Sequence, residues 1–146
     1  MIRIGHGYDS HRLKDGEFIV IGGVKITSRK SVVAHSDGDV LIHALCDALL
    51  GSSGKGDMGL YFDSSNKYKN MDSSFFLKET MKILSNESYN IINIDTTVVT
   101  EEPRITKYAA EIKKNLSQVM KIEENKINIK SKSNDKLCYD GRHEGI

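Results

Sequence analysis

The residues of this chain that could do chemistry crowd into its first third. Gly5-His-Gly-Tyr-Asp-Ser-His11 is followed by Ala34-His-Ser-Asp-Gly-Asp39 and then by His43 and Asp47. Of the five histidines, His6, His11, His35 and His43 fall between Ile4 and Leu50, beside Asp9, Asp37, Asp39 and Asp47. Asp9 and His11 stand two apart on an extended segment, so both side chains leave the same face. With His43 they form two imidazoles and a carboxylate, a donor set that suits Zn²⁺ and leaves a fourth position open for a substrate oxygen. A plainer reading has His43 as a hydrogen-bonded, half-buried histidine and Asp9-x-His11 as a turn, and the residues alone leave both open.

Other groups add to this set. Asp39 and Asp47 lie four residues before and after His43, where either is expected to accept the second imidazole N–H. His35-Ser36 sits at a helix entrance, which suits an anion or a simple N-cap. Lys130, Lys132, Lys136 and Arg142 bracket Ser133-Asn134-Asp135, a pattern that fits a solvated surface or a phosphate with a bridging cation. His6, three residues before Asp9, is expected to face the opposite side and to be structural. The glycine-rich run from Gly51 to Asp57 is not a nucleotide-triphosphate loop, because Lys55 is followed by Gly56 and the spacing is wrong.

These groups need elements to hold them. Ile2 to Tyr8 reads as a short strand, and Phe18 to Ile21 as a second, closed by a Gly22-Gly23 turn. Val24 to Val33 continues as extended structure or loop. Val40, Leu41, Ala44, Leu45, Ala48 and Leu49 make an apolar stripe at helical spacing, capped by Ser36 or Asp37 and ended by Gly51. A second helix starts at Asp72 or Ser73 and stops near Asn86. Tyr89 to Val99 alternates as a strand, and Pro103 fits the first turn of a third helix through Ile105, Tyr108, Ile112, Leu116 and Met120. Lys126 to Ser131 is a last strand, followed by a loop from Ser133 to Gly141.

The order predicts an α+β domain, residues 1–146 as one unit: a two-layer sandwich with a mixed sheet and helices packed on one face. With 146 residues, 38% apolar, 28% charged and a net charge of +1, the chain suits one globular domain and gives no global reason for nucleic-acid or membrane binding. Met1 to Gly5 leads straight into the first strand and no apolar run is long enough to span a bilayer, so a cytoplasmic location is expected. Cys46 and Cys138 are expected as buried free thiols.

At this point the motifs become specific. Asp9-x-His11, His35-Ser-Asp-Gly-Asp39 with His43, Asp47-Ala-Leu-Leu-Gly51, Gly56-Asp-Met-Gly59, the Pro103 segment and Gly141-Arg142-x-Glu144-Gly-Ile146 occur in the order and spacing of the 2-C-methyl-D-erythritol 2,4-cyclodiphosphate synthase family, which the chain resembles over its whole length. The resemblance implies a homotrimer with active sites between neighbouring subunits, acting in non-mevalonate isoprenoid biosynthesis. In that reaction the 2-phosphate of 4-diphosphocytidyl-2-C-methyl-D-erythritol 2-phosphate attacks the β-phosphorus and expels CMP.

Residue by residue, the resemblance implies Asp9, His11 and His43 as ligands of Zn²⁺ or another divalent transition metal. It implies His35 and Ser36 as diphosphate contacts, with His35 and Ser133 stabilising the transition state. Asp57, Met58 and Gly59 match the segment that holds the methylerythritol hydroxyls. Thr100, Glu101, Glu102, Pro103, Arg104, Ile105 and Thr106 match the cytidine pocket. Asp135 takes the place of a glutamate that binds Mg²⁺ or Mn²⁺, flanked by Lys132 and Asn134, and Tyr139 and Arg142 complete the substrate contacts. A channel on the trimer axis near Arg142 and Glu144 is also implied.

The chain departs from the family in places. Phe62-Asp63-Ser64-Ser65 lacks the family's proline and is one residue shorter, Ser133 stands for threonine, and Arg104 for lysine. Asp135 is one methylene shorter than glutamate, so weaker or water-mediated Mg²⁺ binding is expected. A further strand of the family would follow Ile146. Two other readings remain: a metal phosphoesterase, which would release inorganic phosphate, and a metal-stabilised binding module, which would close the metal with a fourth protein ligand.

Overall fold

Ile19, Ile21, Val24 and Ile26 alternate inward along one hairpin, and the two glycines between them, at φ +60° and +75°, make the tight turn that lets them do so. A computed structural model gives the architecture, with residues 2–62, 66–86 and 88–146 described. In chain order the elements are β1 (Arg12–Asp15), β2 (Phe18–Ile21), β3 (Val24–Thr27), β4 (Lys30–Val33), α1 (Val40–Ser52), α2 (Ser73–Ser85), β5 (Ile94–Val99), α3 (Ala109–Met120), β6 (Ile127–Lys132) and the single turn α4 (Cys138–Gly141).

Parallel and antiparallel pairings are both present, as expected for a mixed α+β domain. β1 runs antiparallel to β4, from Arg12 opposite Val33 to Asp15 opposite Lys30, and β2 antiparallel to β3. β5 and β6 are parallel, with Ile94 opposite Ile127 and Val99 opposite Lys132, and α3 supplies the crossover. Among the described residues these are three separate two-stranded ladders, not one sheet. α1 packs on α2, α2 on α3, and α3 on β3 and β6. The core runs between them through residues such as Ile42, Leu77, Ile112, Leu116 and Ile127.

Several boundaries differ from the sequence reading. Residues 2–8 carry no strand; their glycines serve a closer approach, described below. The strand at this end is β1, whose alternation the polar side chains of Lys14 and Asp15 conceal. Residues 89–93 stay outside β5 because β6, its partner, begins only at Ile127. Pro103 follows a cis peptide bond and is not in the first turn of α3; Arg104 is extended, and a 3₁₀ turn over Ile105–Tyr108 intervenes.

The cap of α1 is Asp39, not Ser36 or Asp37, its side chain accepting from Ile42 N–H, whereas Asp72 caps α2 as expected. Both thiols are free. Cys46 is buried, which pushes its pKa up to about 12. Cys138 is exposed on the surface turn that opens α4, against the expectation of burial. No described helix is long and apolar enough to cross a membrane.

Candidate active site

Two glycines bring the ligand-bearing segment onto α1. A Cβ at Gly7 would lie 1.8 Å from the Ala44 carbonyl oxygen, and one at Gly5 would lie 1.8 Å from that of Ala48. Bare backbone therefore rests on the small-residue face of the helix, and any side chain there would lift it. This contact sets Asp9 and His11 over His43. The Asp9 Oδ2 atom is 2.9 Å from His11 Nε2 and 3.1 Å from His43 Nδ1, and the two ring nitrogens are 3.1 Å apart.

Three donors so arranged can hold a metal ion. Tetrahedral Zn²⁺ with bonds of about 2.0–2.1 Å sets its ligands roughly 3.3 Å apart, so the triangle is close to the right size before any ion enters. His6 is exposed and is not part of the cluster, so among the described residues no fourth protein ligand closes it. Burial alone would raise the Asp9 carboxyl. The hydrogen bonds and electrostatic interactions it makes with His11 and His43 outweigh burial and hold it well below the usual carboxylate range.

The partner of the far side of His43 is neither Asp39 nor Asp47. His43 Nε2 lies 3.0 Å from Ser73 Oγ at the start of α2, and 3.4 Å from Ser36 Oγ. Ser73 Oγ in turn donates to Asp37 Oδ1, and Asp37 Oδ2 accepts the Ser73 N–H at 2.8 Å. The Phe76 ring meets the His43 ring edge-on at 6.2 Å and belongs to a cluster with Phe62, Tyr68 and Phe75.

Helical spacing pointed to the wrong carboxylates because both have other work. Asp39 is fully buried and accepts from the N–H groups of Gly22 (2.9 Å), Gly23 (2.6 Å) and Ile42 (3.0 Å). Burial nonetheless raises its pKa to about 6. Asp47 accepts the Met58 N–H at 2.9 Å, which ties the 57–59 segment to α1. Asp57 caps the following 3₁₀ turn.

A second group of expected site residues lies on other elements. Thr100 N–H donates to Lys132 O at 3.0 Å, extending the β5–β6 ladder. Glu101 Oε1 accepts the N–H groups of Asn134 and Lys136, each at 3.1 Å. This carboxylate joins the loop of residues 100–104 to the turn that carries Ser133 and Asp135, and sequence reasoning gave it no such role. Asp135 has φ +51°, a conformation that aspartate tolerates better than most residues.

A cleft of about 520 Å³ opens here, lined by Arg29, Glu102, Pro103, Arg104 and Lys107 among others. Thr106, Lys132 and Ser133 are exposed, whereas the Ile105 side chain is wholly buried, leaving only its backbone for a ligand. Tyr139 and Arg142 line a different cavity, beside His11 and Arg12. Tyr139 Oη is 2.5 Å from Tyr8 Oη, and Arg142 forks onto Glu144 with two bonds of 3.1 Å.

The His35 backbone carbonyl accepts from Asn70 N–H at 2.9 Å, and its side chain is exposed. Phe62 is packed in the aromatic cluster, and Asp63 lies outside the described residues. Among the described residues, the hydrogen bonds and ion pairs of Asp9, His11 and His43 reach none of residues 100–106 or 132–135.

Known proteins resemble this chain throughout. The family model of the YgbB family matches residues 2–146. A 2-C-methyl-D-erythritol 2,4-cyclodiphosphate synthase of Caldicellulosiruptor bescii is 44% identical, over 100% of this chain and 94% of its own length. One from Francisella tularensis subsp. tularensis is 46% identical, over 99% and 92%. Among solved structures, the bifunctional IspDF from Campylobacter jejuni superposes with a TM-score of 0.95 at 34% identity, covering 99% of this chain and 40% of that longer one. The CDP complex of IspF from Plasmodium falciparum gives 0.87 at 35% identity, with 98% and 88% covered.

Proposed function

The chain belongs to the YgbB family, and on that premise we propose that the Asp9–His11–His43 cluster is the metal centre of a 2-C-methyl-D-erythritol 2,4-cyclodiphosphate synthase. The enzyme is a lyase that converts 4-diphosphocytidyl-2-C-methyl-D-erythritol 2-phosphate to 2-C-methyl-D-erythritol 2,4-cyclodiphosphate and CMP, in isoprenoid precursor biosynthesis. A 2-phosphate oxygen bonds to the β-phosphorus, the bond from that phosphorus to the oxygen bridging it to the α-phosphorus breaks, and its electron pair leaves with CMP. No water is consumed. The observation that carries the site assignment is a three-donor cluster of tetrahedral size without a fourth protein ligand among the described residues.

Zn²⁺ or a similar ion at the cluster, with Mg²⁺ or Mn²⁺ at Asp135, supplies Lewis acidity and charge neutralisation worth several kcal/mol when bound. The chain's own residues fold the substrate into attack geometry. Nucleophile and electrophile share one molecule, so effective molarities of roughly 10⁵ to 10⁸ M are within reach. His35 and Ser36 hold the diphosphate, with His35 and Ser133 stabilising the charge that develops on it. Asp57, Met58 and Gly59, tied down by Asp47, take the methylerythritol hydroxyls. Residues 100–106 receive the cytidylyl group, and Phe62, Lys132, Asn134, Tyr139 and Arg142 are further substrate contacts.

Among the described residues, the cluster's hydrogen bonds and ion pairs reach none of those assigned to the cytidylyl group, which supports a site completed by a neighbour in a homotrimer of two-layer α+β sandwiches, each a single catalytic domain. The enzyme works in the cytoplasm. Phosphorus NMR of the protein with substrate, Zn²⁺ and Mg²⁺ tests the reading. Cyclic diphosphate and CMP from wild type, lost in His43→Ala by at least about 10³-fold for a contribution near 4 kcal/mol, are expected. Inorganic phosphate or linear products would move the assignment to a phosphoesterase.

A further inference from the structure

The imidazole of His43 is gripped from two sides, and only one side has been given a role. Nδ1 faces Asp9 and His11; Nε2 faces Ser73, a fully buried residue at the first position of α2. A neutral imidazole carries one N–H, and the nitrogen that carries it cannot be a metal ligand.

Which nitrogen holds the proton follows from the chain of contacts behind Ser73. Asp37 is a carboxylate and can only accept, and Ser73 Oγ lies within hydrogen-bond distance of its Oδ1. The single hydroxyl proton of Ser73 therefore goes to Asp37, and an oxygen lone pair is left facing His43 Nε2 at 3.0 Å. A lone pair on Nε2 would oppose it; an N–H there satisfies both. Ser36 Oγ, the more distant neighbour at 3.4 Å, already accepts the Gly38 N–H at 3.3 Å.

Asp37 is itself fixed. Its Oδ2 accepts the Ser73 N–H and its Oδ1 the Asp39 N–H at 3.2 Å. The acceptor behind His43 is thus anchored to the entrances of α1 and α2 together.

We infer that Ser73, held by Asp37, is a positioning residue that keeps the His43 proton on Nε2 and so reserves the Nδ1 lone pair for the metal. It contacts neither substrate nor ion. This inference rests on the metal reading of the Asp9–His11–His43 cluster and extends it to a partner 30 residues further along the chain. Partners of this type behind a ligating histidine are worth about 10- to 100-fold in metal affinity.

Zn²⁺ affinity, measured by competition with a chromophoric chelator, tests it without recourse to turnover. Ser73→Ala is expected to bind Zn²⁺ about 10- to 100-fold more weakly than wild type, and Asp37→Asn less tightly than wild type by a smaller factor. Asp72→Ala, which removes the α2 cap but leaves the Asp37–Ser73–His43 chain, separates positioning from helix stability; it should leave Zn²⁺ affinity near wild type.

Nitrogen NMR of the Zn²⁺-loaded wild type reads the tautomer directly, with a proton expected on His43 Nε2, and keeps the inference testable if Ser73→Ala does not fold. Wild-type affinity in both Ser73→Ala and Asp37→Asn, an equal loss in Asp72→Ala, or an unprotonated Nε2 each overturn it while leaving the metal reading intact. Failure of the wild type to bind Zn²⁺ overturns both.

Discussion

The proposed metal side and the proposed nucleotide side of this molecule are built by opposite means. On the metal side, side chains do the holding: Asp37, Asp39, Asp47 and Ser73 each grip a backbone or ring group, Asp39 and Ser73 are wholly buried, and glycine backbone touches helix backbone. On the nucleotide side, exposed residues such as Arg104, Thr106, Lys132 and Ser133 sit on loops that one carboxylate, Glu101, ties together through two amides. The first arrangement sets three donor atoms 2.9–3.1 Å apart; the second offers backbone and adjustable side chains to a larger ligand. Damage to the metal side should therefore cost stability and metal affinity together, and damage to the nucleotide side mainly substrate binding.

Four substitutions sharpen or break that contrast. The largest effect is expected from Asp39→Ala, which strands three buried N–H groups and should destabilise the fold by about 3 kcal/mol in urea unfolding. It also carries a pH signature. The folded-state pKa of Asp39, about 6, lies above the ordinary aspartate value, so the native state holds the proton more tightly and this contribution to stability falls as pH rises from about 4 through about 6. Wild type should show that fall and Asp39→Ala should lack it; parallel profiles would refute the assignment.

Next comes Gly7→Ala. The added Cβ meets the Ala44 carbonyl, costing about 1–3 kcal/mol, and Zn²⁺ binding should weaken as Asp9 and His11 are lifted. Unchanged Zn²⁺ affinity would mean that the cluster does not depend on that contact.

Glu101→Ala should behave differently, raising KM for the cytidylyl substrate by roughly five-fold, about 1 kcal/mol, with Zn²⁺ affinity at the wild-type value. A matching loss of Zn²⁺ would erase the division between the two sides.

The smallest effect belongs to Asp95→Asn on β5. Hydrogen bonds from Lys130 and Asn128 hold the Asp95 carboxyl below its usual range. Its contribution is present above the unfolded pKa and lost as pH falls through the lower folded value. Being on the surface, with both side chains about half exposed, the pair should shift the acid limb of the unfolding profile only slightly, and a large shift would show that this ladder matters more than its surface position implies.

The metal side was legible in sequence to the extent that chemistry fixes residue type. Asp9-x-His11 and His43 were found from donor identity and spacing, and the α2 cap from Asp72. The partner of His43 was not, because helical spacing favours carboxylates four residues away, and nothing in the string links Asp37 to Ser73 across the chain. Residues 2–8 were read as a strand because glycine between apolar residues resembles a weak strand; their close approach to Ala44 and Ala48 requires knowing what lies beneath them. The Pro103 segment misled for a related reason, since proline suits both a helix start and the extended turn found there.

Asp39, His43 and Asp47 recur every fourth residue along α1, gripping the hairpin turn, the ligand cluster and the 57–59 segment in succession. At 1.5 Å per residue the helix sets these stations about 6 Å apart, so it acts as a gauge block whose graduations are peptide units. The spacing from the ligand cluster to the anchor of the segment proposed for the methylerythritol hydroxyls is thus set by the helix pitch. One residue inserted between His43 and Asp47 would swing the last station by about 100°, and the gauge would measure nothing.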